Sequence, residues 1–376
     1  MIYLDYAATT PMSDEAIEVF VKTAKHFYGN PSSLHDIGSG AANILEAARK
    51  EIAKLLHGEK DGVYFTSGGS ESNILALQSL LDACREKGSH VISTKCEHSS
   101  VYNLLQKLEQ QGFAVTYLPV DANGTVDIAE LEKAIRPDTI LASIQYVNSE
   151  IGTIQPIERI GEILHERNVL FHCDAVQAFG KLPIDVKRLH IDALSVSSHK
   201  IYGPKGVGAV YLNPRRKWKA QIPGTTHEKG FRPGTVNVPG IAAFAVAAQA
   251  IHQAMDKETE RLHALRNELF RHLREIPQVV LESDPERTLP NIAGLRIAGM
   301  EGQYAMLECN RHGLAISTGS ACSVGSQKPS RTMKALGRTD EEAKEFIRLS
   351  FGKSTTREEI LQAAAILRKI TEAYFG

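Results

Sequence analysis

Between residues 14 and 255, short apolar runs alternate with longer stretches of helical period. GVYF, HVIS, AVTYLPV, ILASIQYV, VLFHCDA, ALSVSS and GAVYL read as strands, and segments such as 71–84 and 157–167 read as the helices between them. This alternation predicts an α/β fold, a mainly parallel doubly wound sheet with helices on both faces. Ligands of such sheets sit beyond the carboxyl ends of the strands, so polar residues that follow a strand are the first candidates for chemistry.

After residue 255 the pattern changes. A charged amphipathic helix, KETERLHALRNELFRHLREI, is followed by shorter mixed elements and a closing helix that starts near Thr356, where T-R-E-E forms a capping box. The change divides the chain into a large domain, 14–255, and a smaller α+β domain built from 1–13 and 256–376. The run GTVNVPGIAAFAVAAQAIHQAM, 234–255, has no acidic or basic residue. Pro239, Gln249 and His252 interrupt it before it would span a bilayer, so it reads as a buried helix.

Composition narrows the function classes. The 376 residues are 43% hydrophobic and 23% charged, enough for a large core, and a net charge of -1 gives no field for steering nucleic acid or an anionic membrane. The basic cluster PRRKWK, 214–219, is read as a solvated surface loop. The start MIYLDYAATTP lacks the charged and then apolar regions of a secretory signal, which points to the cytoplasm. Cys84, Cys96, Cys173, Cys309 and Cys322 are irregularly spaced and imply no disulfide framework. Cys96 with His98, His172 with Cys173, and Cys309 with His312 lie close in sequence, but none forms the paired CxxC pattern of a zinc site, and no metal is expected.

Four stretches carry candidate chemistry. In VYFTSGGSESNILAL, Gly68, Gly69 and Ser70 bring backbone amides and a hydroxyl to a helix N-terminus, a cradle for an anion such as phosphate, although tight turns use the same residues for steric reasons. VLFHCDAVQ ends an apolar strand in Asp174, with Gln177 three residues on; a carboxylate there needs a cation or donors. LSVSSHKIYGPKG places Ser197, His199 and Lys200 after the next strand, where a desolvated lysine becomes a nucleophile for carbonyl carbon. ISTGSACSVGSQKP sets Cys322 among serines and glycines, the setting of a reactive thiol and not of a packed one. A lysine, a strand-end aspartate and phosphate-binding hydroxyls are together the parts of a pyridoxal phosphate (PLP) site.

The chain resembles the cysteine desulfurases of the NifS/IscS type, which are fold-type I PLP-dependent transferases. The likeness rests on YLDYAATTP, GNPSSLH, FTSGGSES, EHSSV, NSEIGT, HCDAVQ, SSHKIYGPKG, HEKGFRPGTVNVPG, STGSACS and IRLSFG, in the family's order. The resemblance implies that Lys200 bonds to the cofactor, that His98 stacks on its ring and carries a proton, and that Asp174 and Gln177 bond its nitrogen and phenolic oxygen. Gly69, Ser70, Ser197 and His199 would meet the phosphate, and Thr235 would reach over from the second subunit of a homodimer. Asn148 would touch both cofactor and substrate, and Arg348 would fork onto the carboxylate of L-cysteine. Cys322, in a loop spanning about 316–335, would take the substrate sulfur as a persulfide for a protein acceptor. That acceptor is an iron-sulfur scaffold, a tRNA-thiolation enzyme or an apo iron-sulfur enzyme.

Three departures from the commoner family pattern stand out: Ser70 where threonine is more usual, RPGTVN in place of RSGTEN, and VGSQKP after Cys322. A selenocysteine lyase or another fold-type I enzyme would share Lys200 and Asp174 without needing Cys322. A non-catalytic sulfur carrier would need neither.

Overall fold

The structure is a computed structural model that describes residues 1–319 and 329–376. The chain opens with a short strand, β1 (Ile2–Tyr3). The seven apolar runs become β2 (Val63–Thr66), β3 (His90–Thr94), β4 (Ala114–Leu118), β5 (Thr139–Gln145), β6 (Leu170–Asp174), β7 (Ala193–Ser197) and β8 (Gly208–Leu212). They form one sheet in the order β2-β8-β7-β6-β5-β3-β4, in which β8 alone runs against the others.

Both faces of this sheet are covered, which is why its strands lack a polar face. Phe171, Cys173, Leu194 and Val196 point into one core, shared with helices Asp36–Leu55 and Ile157–Glu166. Leu170, Ala193 and Val210 point into the other, against helices Gly69–Cys84 and Ser99–Gln110. Because β2, β3, β5, β6 and β7 are parallel, their carboxyl ends open on one side of the molecule. The segments after them hold the candidate residues.

A second core surrounds the antiparallel strands β9 (Val279–Leu281), β10 (Ile292–Ile297) and β12 (Phe346–Ser350), in the order β12-β10-β9, while β11 (Leu314–Ala315) pairs with β1. The expected break at residue 255 falls inside one helix, Val238–Leu273, of 36 residues. Its first turns place Ile241, Phe244 and Ala248 in the core of the large sheet, and its last turns place Leu265, Leu269 and Leu273 in the second core. The apolar-to-charged change in sequence marks where the helix leaves one core for a more exposed stretch. It is long and apolar enough to cross a membrane by length and composition, and half of its most apolar stretch is buried inside the protein. The closing helix Arg357–Phe375 begins at a complete Thr356–Glu359 capping box, as its sequence predicts.

Candidate active site

β2 leads through Ser67 and Gly68 into the helix Gly69–Cys84. Gly68 has φ +151°, a conformation open to glycine, and a Cβ on Gly69 would lie 2.7 Å from Cγ2 of Val176. The steric reason for these glycines therefore holds, and it also leaves the helix N-terminus open on its solvent side, where amide dipoles favour an anion. Ser70 is exposed there.

Below this turn lies a cavity of about 190 Å³, whose walls include Gly69, Ser70, His98, Asp174, Gln177, Ser197, His199, Lys200 and Arg348. Asp174 ends β6 on the face of Gly69–Cys84. Its carboxylate accepts from Asn73 Nδ2 at 2.7 Å and from the Val176 amide at 3.0 Å, which compensates the cost of burying it. Lys200 donates to the carbonyls of Ala7 and Ala8 at 2.6 and 2.8 Å. Gln177 Nε2 donates to the same Ala7 carbonyl at 2.9 Å. His98 caps the helix Ser99–Gln110, with its Nδ1 accepting from the Ser100 amide at 3.2 Å. Arg348 is buried; its guanidinium donates to Asp5 Oδ1 at 2.7 Å and to the Ser149 carbonyl at 2.8 Å.

Two expected residues stand apart from this cavity. Asn148 is buried beside it, but its Oδ1 accepts from the amides of Glu150 and Ile151, and its Nδ2 donates to the Cys96 carbonyl. Its amide therefore shapes the turn 148–151. Thr235 is exposed on this chain and absent from the cavity wall. Cys322 lies outside the described residues. Sequence reasoning missed Asn73, Lys181 and the backbone of Ala7 and Ala8. Asn73 and Lys181 carried no local signal, while Ala7 and Ala8 lie in the quoted YLDYAATTP.

Burial and crowding by cations perturb several groups. His199 is pushed down to about 4 by burial and then by Lys200, Lys205 and Lys181, so its ring is neutral near pH 7. Lys181 falls to about 7, through burial and the Lys200 charge. Glu97, fully enclosed behind the cavity, rises to about 8, chiefly through burial and with a contribution from Asp174, and is largely protonated at neutral pH.

The sequence pattern of the aminotransferase class-V family matches residues 2–362. The chain is 53% identical to a NifS protein of Bacillus subtilis over 96% of its own length and 92% of the relative's. It is 42% identical to the cysteine desulfurase IscS of Klebsiella pneumoniae, covering 98% of this chain and 92% of that one. Among solved structures, a NifS-like protein superposes with a TM-score of 0.93 at 32% identity, covering 99% of both chains. A structure of SspA in complex with cysteine gives 0.82 at 34% identity over 93% of this chain and 99% of that one. The chain belongs to the aminotransferase class-V family. Within it, the chain is a homologue of the NifS/IscS cysteine desulfurases.

Enzymes of this family are generally PLP-dependent, and the class-V site built here has the chemistry to hold that group. The Ser197 hydroxyl is buried and has no hydrogen-bond partner among the described residues, at the foot of the Gly69–Ser70 turn. A phosphate there would meet that hydroxyl and the helix N-terminus together. On the same cavity, the Asp174 carboxylate is held by Asn73 and the Val176 amide and would suit a protonated ring nitrogen. The described cysteines are poor nucleophiles where they are buried: burial pushes the thiols of Cys96 and Cys173 up, and that of Cys309 up to about 12.

Proposed function

We infer that this chain is a PLP-dependent cysteine desulfurase that converts L-cysteine to L-alanine and passes the sulfur through Cys322 to an acceptor protein. The observation that carries the reading is the meeting of Lys200, Asp174 and the unpartnered Ser197 hydroxyl around one cavity beneath a phosphate-type cradle. Relatives named cysteine desulfurase cover nearly the whole chain.

Lys200 would hold the cofactor covalently, Gly69, Ser70, Ser197 and His199 its phosphate, and Asp174 and Gln177 its ring substituents. When bound, PLP supplies an electron sink for the pair released at the substrate Cα. The residues of the chain do the rest. Arg348 forks onto the substrate carboxylate, with its exchange of partners limited to Asp5 and Ser149. Asn148 steadies the turn beside it. Lys200 takes the Cα proton, and Asp174, pinned by Asn73 and the Val176 amide, keeps a proton on the ring nitrogen. His98 accepts the substrate thiol proton. The Cys322 thiolate then attacks that sulfur. A Cys322–sulfur bond forms as the carbon–sulfur bond breaks, the electron pair stays with the carbon fragment, and protonation releases alanine. Cysteine has lost one sulfur atom and Cys322 has gained it.

Thr235, exposed on this chain, reaches the neighbouring cavity in a homodimer. The large unit, 14–255, supplies the cofactor site, and 1–13 with 256–376 forms the smaller unit that carries the cysteine loop. The enzyme works in the cytoplasm, with an iron-sulfur scaffold, a tRNA-thiolation enzyme or an apo iron-sulfur enzyme as acceptor.

The test is intact mass of the non-reduced protein after brief exposure to L-cysteine, wild type beside Cys322→Ala. A gain of one or more sulfur atoms in wild type alone is expected. Equal gain in both, or alanine release with no gain in wild type, would remove Cys322 from the reaction.

A further inference from the structure

Lys181 sits one turn beyond Gln177, and among the described residues it forms no ion pair. Its side chain is half-buried, with Nζ turned inward: it donates to the Gln177 carbonyl at 3.2 Å and to Gln177 Oε1 at 3.3 Å. An amine withdrawn from water without a carboxylate partner costs stability, offset here only by its hydrogen bonds to Gln177. Those bonds point to a use. With Oε1 committed to Lys181, the Gln177 amide must turn Nε2 toward the Ala7 carbonyl, where it donates at 2.9 Å. Lys200 donates to that same carbonyl at 2.6 Å. Lys181, Gln177, Ala7 and Lys200 thus form one continuous chain of hydrogen bonds. A second cavity, of about 120 Å³, is walled by both lysines.

We propose that Lys181 is a positioning residue for Lys200: it fixes the orientation of the Gln177 amide and places a second positive charge behind the reacting amine. This deepens the proposed function and rests on it. A lysine that removes a proton must be neutral when it acts, and a neighbouring ammonium disfavours its charged form. Lys181 is itself lowered to about 7, by burial and then by the Lys200 charge, so it carries its charge on the acid side of neutrality. The other titratable and charged groups around them are Glu15 from the helix Asp14–His26, Glu258 from the helix Val238–Leu273, Lys353, Tyr6 and Tyr202 on the second cavity, and His98, Asp174, His199 and Arg348 on the first. His199 is neutral at working pH, and Lys181 is linked to Lys200 through the Gln177 amide and the Ala7 carbonyl.

The sign follows. Removing the Lys181 charge favours the protonated form at the Lys200 nitrogen and moves its titration to higher pH. The experiment titrates the visible absorbance of PLP in purified holoenzyme, for wild type, Lys181→Met and Lys181→Arg, beside the pH profile of alanine release. In Lys181→Met the absorbance midpoint should rise by about one unit, roughly a tenfold shift in the proton equilibrium, and the alkaline shift should recur in kcat. Lys181→Arg keeps a donor to Gln177 and is charged at every pH, so its midpoint should lie at or below the wild-type value. A Met variant that holds the cofactor with an unmoved midpoint would overturn the proposal. If the Met variant does not fold, the Arg variant decides: a midpoint at or below the wild-type value supports the role of charge, and a rise like that expected for Met overturns it. Wild-type protein with no visible cofactor band would instead sink the PLP reading itself, a separate failure.

Discussion

Ser197 ends β7 with its hydroxyl buried at the cavity wall and nothing to bond among the described residues. Such a group costs about 1–3 kcal/mol until a partner arrives. Ser197→Ala should therefore leave the cofactor-free protein as stable as wild type or more so, while PLP dissociates about tenfold more readily, as loss of one hydrogen bond to a charged phosphate implies. Absorbance of the protein after dialysis against cofactor-free buffer measures this. Retention equal to wild type would mean that the phosphate lies elsewhere. The candidates were legible at this scale: Asp174 and Ser197 end strands and Lys200 lies just beyond one, and the physics that makes a polar strand end costly is local. The partners were not readable, since Asn73 meets Asp174 and Ala7 meets Lys200 across 101 and 193 positions of sequence.

At the scale of elements, the segment that leads to Thr235 is fastened to the cradle by a buried ion pair. Arg49, on the helix Asp36–Leu55, donates to both oxygens of Glu228 at 2.8 Å and to the Val63 carbonyl at 2.7 Å, and Glu228 accepts from the Phe65 amide at 2.7 Å. Glu228 and Lys229 hold left-handed φ values of 46° and 55°, a strained pair that the ion pair keeps in place. Arg49→Met strands the Glu228 carboxylate in the core at a cost of about 3–5 kcal/mol, and Arg49→Met with Glu228→Met should recover part of it. Thermal melts of the two variants decide the matter. A double variant no more stable than the single one would show that the guanidinium's bonds to the backbone carry the effect. HEKGF gave no sign of this pair, because Arg49 precedes Glu228 by 179 residues.

For the whole molecule, exposed apolar surface bears on assembly. Ile17, Val21, Tyr28, Leu34, Ile37 and Ile222 are large apolar side chains left in water on one chain, Leu34 fully so, and Thr235 is exposed as well. A homodimer should therefore be seen by light scattering. Coexpressed Lys200→Ala and Thr235→Val subunits should give mixed dimers with one intact site, and cysteine turnover well above that of either parent dimer. No recovery in the mixed dimer would place Thr235 outside the neighbouring site.

The sequence by itself determined the seven strands, the parallel α/β class, the capping box at Thr356 and the placing of candidate groups at strand ends, because apolar runs, helix caps and strand ends are decided by forces acting over a few residues. Tertiary structure decided what those groups touch. It joined an apolar and a charged stretch into one 36-residue helix shared by two cores. It turned the Asn148 amide into its own loop, and it brought Lys181 to Gln177 on the way to Lys200. Those outcomes depend on which surfaces meet when the chain closes, and no pattern of neighbours along the sequence encodes that meeting.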